Sequence, residues 1–222
     1  MDELNNRMPF NAKFDLNLPR KWYSNHFKDE LELLTSFIKL SNEEIKDSKI
    51  KYLYDKENIE YDIGEEQTGI ITCYEGVDDQ TYALDDIFIE YFPDLKRKSN
   101  FIMIVSHLED GLRELCKDLS VEFSVEYQKG NKKGIFYAIY FFLKLSLKLD
   151  FEIENDISWK NLRLAYNIRN KIAHLTENKI SETELQVFKI SHDFIFSNET
   201  NEILLEEIHS FLKKLELELL KR

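Results

Sequence analysis

The chain has 222 residues, with 30 Lys and Arg against 42 Asp and Glu and a formal net charge of −12, a balance that excludes a general basic coat for nucleic acid. Hydrophobic residues make up 43%, with only 6 Gly and 3 Pro, which excludes a disordered, collagen-like or linker-dominated chain and favours helices. The length suits one domain, or a domain with a large extension, and is enough to bury a real core.

In chain order, residues 1–20, with Pro9 and Pro19, read as an irregular lead-in. Helix is expected after Pro19. Phe27, Leu31, Leu34, Ile38 and Ile45 recur at helical spacing, and Ile50, Leu53 and Ile59 continue that face, so one long helix or two consecutive ones should fill 21–60. Residues 61–80, with Gly64, Gly69 and Gly76 and the run Thr68 to Thr72, read as a loop or small hairpin. Pro93 is expected to end whatever precedes it. Phe101, Ile104, Val105, Leu108, Leu112, Leu115, Cys116 and Leu119 then form one helical stripe, and Phe136 to Leu149 a second helix, apolar nearly all round and therefore central. A third helix starts near Asp156 or Ser158, either of which could cap it, and runs to about Leu175. Val187 to Ile190 and Asp193 to Phe196 suggest a short β-ribbon near 187–205, and Leu204 to Leu220 a closing amphipathic helix. The fold class is therefore mainly α, a helical bundle over 96–222 with an N-terminal helical extension over 1–95.

The charge is uneven along this order. Residues 41–95 hold 4 basic and 16 acidic groups, a balance of −12, whereas residues 96–180 hold 15 and 11, a balance of +4. The acidic excess thus belongs to one segment of the extension, read as a solvated face, with repulsion of RNA or capture of a basic partner as the other readings. The longest apolar run, Ile135 to Leu143, stops at Lys144 and is roughly half of what spans a bilayer. The N-terminus lacks a basic stretch followed by an apolar one, and Cys73 and Cys116 form no disulfide framework. A reduced cytoplasm, with no membrane partner, is the expected location.

Two charges break the helical pattern. Advancing 100° per residue from Leu162, the apolar arc of the third helix lies at roughly 200° to 300° (Leu164, Ala165, Ile168, Ile172, Leu175). Arg163, Asn167, Asn170 and His174 occupy the opposite face at roughly 80° to 140°, while Arg169 falls at roughly 340°, on the margin of the apolar arc. Relative to Leu108, Glu109 lands near roughly 100°, between Cys116 and Ile102 and inside the stripe. A carboxylate there needs a partner. Glu109 is expected to pair with Arg169 across the bundle and fix the guanidinium beside His174; an i,i+4 pair with Arg113 is the alternative.

The run Arg169-Asn170-Lys171-Ile172-Ala173-His174 resembles the signature of the HEPN superfamily: an Arg, a polar residue, a short spacer and a His on a late helix of an α-helical bundle. The resemblance extends to Ser106-His107-Leu108-Glu109, to Asn131-Lys132-Lys133-Gly134-Ile135 and to Trp159, covers about 98–222, and points to the prokaryotic, defence-associated branch. It implies a HEPN-like bundle and a metal-independent endoribonuclease working at a homodimer interface. Arg169 and His174 are then catalytic, with Asn170 and Glu109 supporting. A toxin or anti-phage, abortive-infection effector is implied, with an antitoxin or defence-system partner protein. A related subgroup, partnered with minimal nucleotidyltransferases, has Tyr two residues after the His; Thr176 stands there in this chain.

The chemistry has its own logic. Cutting RNA without metal needs a base for the 2′-OH, an acid for the leaving 5′-oxygen and positive charge on the phosphorane. One His cannot hold both protonation states at once, but a two-fold dimer supplies two. Lys132, Lys133, Arg163 and Lys171 are weaker candidates for touching the RNA backbone, with a solvated turn the plainer reading of the first two. His26, His107, His192 and His209 are scattered with no metal-ligand spacing, and no nucleotide-cofactor fingerprint occurs, so neither metal nor cofactor is expected. Trp22 and Trp159 read as packing anchors. The rival function is a catalytically silent HEPN-like module binding RNA, a nucleotide or a partner protein; a third is an acidic interaction protein acting through 41–95.

Overall fold

The structure is a computed structural model that describes residues 19–64, 67–128, 134–150, 152–176 and 179–222. The chain enters through a 3-10 turn, Pro19–Lys21, and a π turn, Tyr23–Phe27, that runs straight into helix α1, Lys28–Asp55. Leu31, Ile38, Ile45 and Tyr52 are its buried stripe, each seven residues from the last, two turns apart on one face of the helix. The lead-in expected over 1–20 lies almost wholly outside the described residues.

Helix does not continue to residue 60. Strand β1, Glu57–Gly64, pairs antiparallel with β2, Gln67–Tyr74, and a short β3, Val77–Asp78, adds to β2. Ile59 therefore sits in a strand opposite Ile71, and its helical spacing from Leu53 is coincidental. The hairpin is anchored at the end of α1, where Tyr52 stacks on Phe88 at 4.8 Å, meets Tyr74 edge-on at 5.1 Å and donates its hydroxyl to Asp85 Oδ1 at 2.5 Å.

Pro93 ends nothing. It lies in the first turn of α2, Phe92–Glu122, directly after a π turn, Asp86–Tyr91. A proline lacks the N–H and crowds the carbonyl four residues back, and the wider π turn accommodates both. Helix α2 is the axis of the bundle, contacting α1, α3 (Ile135–Tyr140, extended by a π turn over Phe141–Ser146), α4 (Ile157–Ala173) and α6 (Asn198–Leu219). The expected second helix thus stops at Ser146 rather than Leu149. Phe101, Ile104, Leu108, Leu112, Leu115 and Leu119 of α2 are all at most 1% exposed. Trp22, Phe27, Leu31 and Ile38 from the N-terminal part belong to the same continuous core.

The β-ribbon expected near 187–205 is absent. Residues Glu182–Phe188 form helix α5, the chain turns at Lys189 with φ +51°, and α6 already begins at Asn198. Each helix carries a reciprocal cap: Ser181 with Glu184, and Ser197 with Thr200. Phe188, Ile190 and Phe196 are apolar because they plug the end of the core, at 0%, 6% and 0% exposure.

Candidate active site

Helix α4 starts where the sequence places it. Asp156 is the N-cap, accepting from the Trp159 backbone N–H at 2.9 Å, and Lys214 fixes its other oxygen at 2.7 Å. Trp159 is an anchor, 1% exposed between Phe136 and Phe211, and Trp22 likewise stacks on Phe27 at 4.4 Å. Of the expected apolar arc of α4, Ala165, Ile168 and Ile172 are buried together with the reference residue Leu162, and Leu164 is half-buried. Leu175 is instead exposed, because the helix ends before it and the backbone turns away.

Arg169 leaves the margin of that arc and crosses to α2. Its Nη2 donates to Glu109 Oε2 at 3.0 Å and to Ser106 Oγ at 3.3 Å, and its Nη1 donates to Asn170 Oδ1 at 2.8 Å. The alternative partner of Glu109, Arg113, instead pairs with Asp110. Glu109 is 4% exposed. Burial pushes its carboxyl above the usual range, and Arg169, then Arg113, pull it back. The Arg169 side chain keeps 24% exposure, with Tyr166 below it at 5.9 Å from guanidinium carbon to ring centre. A guanidinium has five N–H donors; two of those of Arg169 have no partner among the described residues. The group is therefore clamped at one end and open to solvent at the other, an arrangement suited to a phosphate oxygen.

His174 closes α4. Its backbone N–H donates to Asn170 O at 3.0 Å, Leu175 to Ile172 O at 3.1 Å and Thr176 to Lys171 O at 2.8 Å, which is a Schellman ending. Leu175 holds the left-handed position at φ +53° and is 89% exposed, where Gly is the usual occupant. The imidazole of His174 is exposed, and no described side chain bonds to it. It stands one turn beyond Asn170, on the polar face of α4 shared with Arg163 and Asn167.

The weaker candidates separate. Lys171 donates to Glu184 Oε2 at 2.6 Å, a carboxylate 3% exposed in the α5 cap; this ammonium ties α4 to α5. Arg163 is exposed and lines a cleft between α3 and α4. Lys132 and Lys133 lie outside the described residues. Among the described residues, no group of three or more His, Cys, Asp or Glu is placed to hold a metal ion, and none of the helices is long and apolar enough to cross a membrane. The chain matches no family model, no curated protein and no solved structure.

Two residues of the site carried no assigned role in the sequence. Ser106 sits one turn before Glu109 and Tyr166 one turn before Arg169; both could have been found by extending each helix face from the two misplaced charges.

Proposed function

We propose that the protein is a metal-independent endoribonuclease acting as a HEPN-like homodimer, in the setting of a toxin or anti-phage effector. The observation that carries this reading is the cross-bundle clamp: a buried carboxylate holds a part-exposed guanidinium on the same helix end as an exposed imidazole that has no bonded partner among the described residues. A scaffold has no need of that combination, because a buried ion pair is poor evidence of stability and an exposed His at a helix end adds little.

In the proposed reaction, Arg169 neutralises the phosphate and the developing phosphorane. One His174 takes the 2′-OH proton as the oxygen attacks phosphorus, and the His174 of a second copy protonates the departing 5′-oxygen. The products are a 2′,3′-cyclic phosphate and a 5′-hydroxyl. Asn170 holds the guanidinium edge and Glu109 positions it from behind. A partner protein that restrains a toxin would have to cover this helix end.

The test is total RNA incubated with purified protein in EDTA, beside Arg169→Ala and His174→Ala. Cutting is expected only with the wild type, and an oligonucleotide with a deoxy sugar at the cut site is expected to be inert. Cleavage that survives either substitution, or cleavage of the deoxy substrate, rejects the assignment. Failure of the wild type to cut any RNA favours the silent binding module.

A further inference from the structure

The cleft between α3 and α4 has a volume of about 350 Å³ and adjoins the clamp. That lies at the small end of ligand pockets, roughly 300–1,000 Å³, and suits a single nucleoside better than an extended chain. Its base is aromatic: Phe136 and Trp159 are 4% and 1% exposed, with ring centres 5.2 Å apart, and Phe136 meets Tyr166 at 5.3 Å. Tyr137 and Tyr140 of α3 add further aromatic lining. Gly134 opens α3 at φ +87°, a backbone conformation that favours glycine, and lies against the Tyr166 hydroxyl.

The polar groups at the cleft are of three kinds. Arg163 supplies an exposed cation with no partner among the described residues. Asn167 supplies an amide. Glu154 supplies a carboxylate, one oxygen of which takes the Tyr140 hydroxyl, leaving the other without a described partner. Tyr166 belongs to both the cleft and the clamp, lying under Arg169. Asn167 precedes Asn170 by roughly 4.5 Å of helix rise and His174 by roughly 10.5 Å, the reach of a nucleotide or two along a strand.

Phe136 and Trp159 are buried and only support the cleft, whereas the part-exposed rings of Tyr137, Tyr140 and Tyr166 can accept the face of any base, so selection falls to the carboxylate. Guanine presents two adjacent N–H donors, N1–H and the 2-amino group, to one carboxylate. Adenine and cytosine each set an acceptor nitrogen beside their amino group, and uracil offers one N–H between two carbonyls; each would leave Glu154 facing a lone pair. The phosphate of the same nucleotide is the natural counterpart of Arg163.

We propose that the α3–α4 cleft is a guanine-selective nucleotide subsite, which places a guanosine of the RNA strand within a nucleotide or two of the bond held at Arg169 and His174. The proposal rests on the endoribonuclease reading for its purpose, but its occupancy can be measured separately. The four 5′-nucleoside monophosphates and guanosine are titrated into the full-length protein by calorimetry, and single-guanosine oligoribonucleotides are offered for cutting. GMP is expected to bind at least tenfold more tightly than AMP, CMP or UMP. Glu154→Gln is expected to erase that preference, and Arg163→Ala to lower GMP affinity to that of guanosine. Both residues are at the surface, so these variants should fold, and their circular dichroism is checked against the wild type. Equal or absent binding of all four nucleotides, or a preference that survives Glu154→Gln, overturns the subsite. GMP binding without any RNA cutting rejects the nuclease reading and leaves the subsite standing; cutting that depends on Arg169 yet ignores guanosine position does the reverse.

Discussion

Glu109→Ala tests the clamp most directly. The substitution removes a carboxylate that is 4% exposed and accepts from Arg169 at 3.0 Å. Breaking a fully sealed pair from one side costs about 3–5 kcal/mol, whereas a hydrogen bond to a charged group is worth about 1.5–3 kcal/mol. Arg169 keeps 24% exposure and its bonds to Ser106 and Asn170, so part of its charge returns to water and the lower range applies: a loss of about 2–3 kcal/mol. Urea unfolding followed by the fluorescence of Trp22 and Trp159, both buried, measures it. A double-mutant cycle with Arg169→Met isolates the pair. The pH dependence gives a second readout. Burial raises the folded-state carboxyl of Glu109 above its unfolded value, with Arg169 opposing, so its contribution to stability is fully present below the unfolded value and is lost as pH rises through the folded one. Glu109→Gln should remove that slope. As a positioning residue, Glu109 should also affect kcat more than KM, because a loose guanidinium still meets the ground-state phosphate. Unfolding midpoints that do not move in Glu109→Ala, together with a coupling energy below about 0.5 kcal/mol, would refute the reasoning.

Other expectations are independent of the reaction. In Gly111→Ala the new Cβ would lie 2.2 Å from Phe27 Cε2. Phe27 is held between Trp22 at 4.4 Å and His107 at 4.9 Å, so the overpacking cost of about 1–3 kcal/mol should exceed the helix-propensity gain of about 1 kcal/mol, read as a lower urea midpoint. Leu175→Gly relieves a left-handed backbone at φ +53° and should stabilise the chain by about 1 kcal/mol at dilute concentration; a loss of stability would mean that this exposed leucine is covered in solution. For Glu184, burial alone would raise the carboxyl, but Lys171 and the Ser181 N–H and hydroxyl outweigh it and hold it below the usual range. Its stabilisation is present above the unfolded value and lost as pH falls through the folded one, so Glu184→Gln should flatten the acid limb of a thermal-melt series, and an unchanged limb would count against the cap.

The helices that hold the site were legible because their apolar residues keep strict spacing, and the clamp was legible because Glu109 and Arg169 interrupt that spacing on facing elements. Residues 182–205 misled for a different reason. Phe188, Ile190 and Phe196 are brought to the core by a left-handed turn at Lys189 and an irregular link, so their pattern carries no helical period even though a short helix and a long one flank it. The local signal was Ser181-Glu182-Thr183-Glu184, whose Ser and Glu three apart form the capping box. At Pro93 the covalent rule was sound, but a π turn absorbed the ring. The α3–α4 cleft was not legible, because Glu154 and Tyr140 are brought together by the link between α3 and α4, which has no periodicity to extend.

Gly111 has a wider consequence than its notch. On α2, the same two turns present Ser106 and Glu109 to Arg169 and present His107 and Gly111 to Phe27. The N-terminal segment and the motif helix therefore grip one short stretch of backbone from two sides. Substitutions at Trp22 or Phe27 that shift this stretch of α2 are therefore expected to act as second-site suppressors or poisons of a centre they never touch.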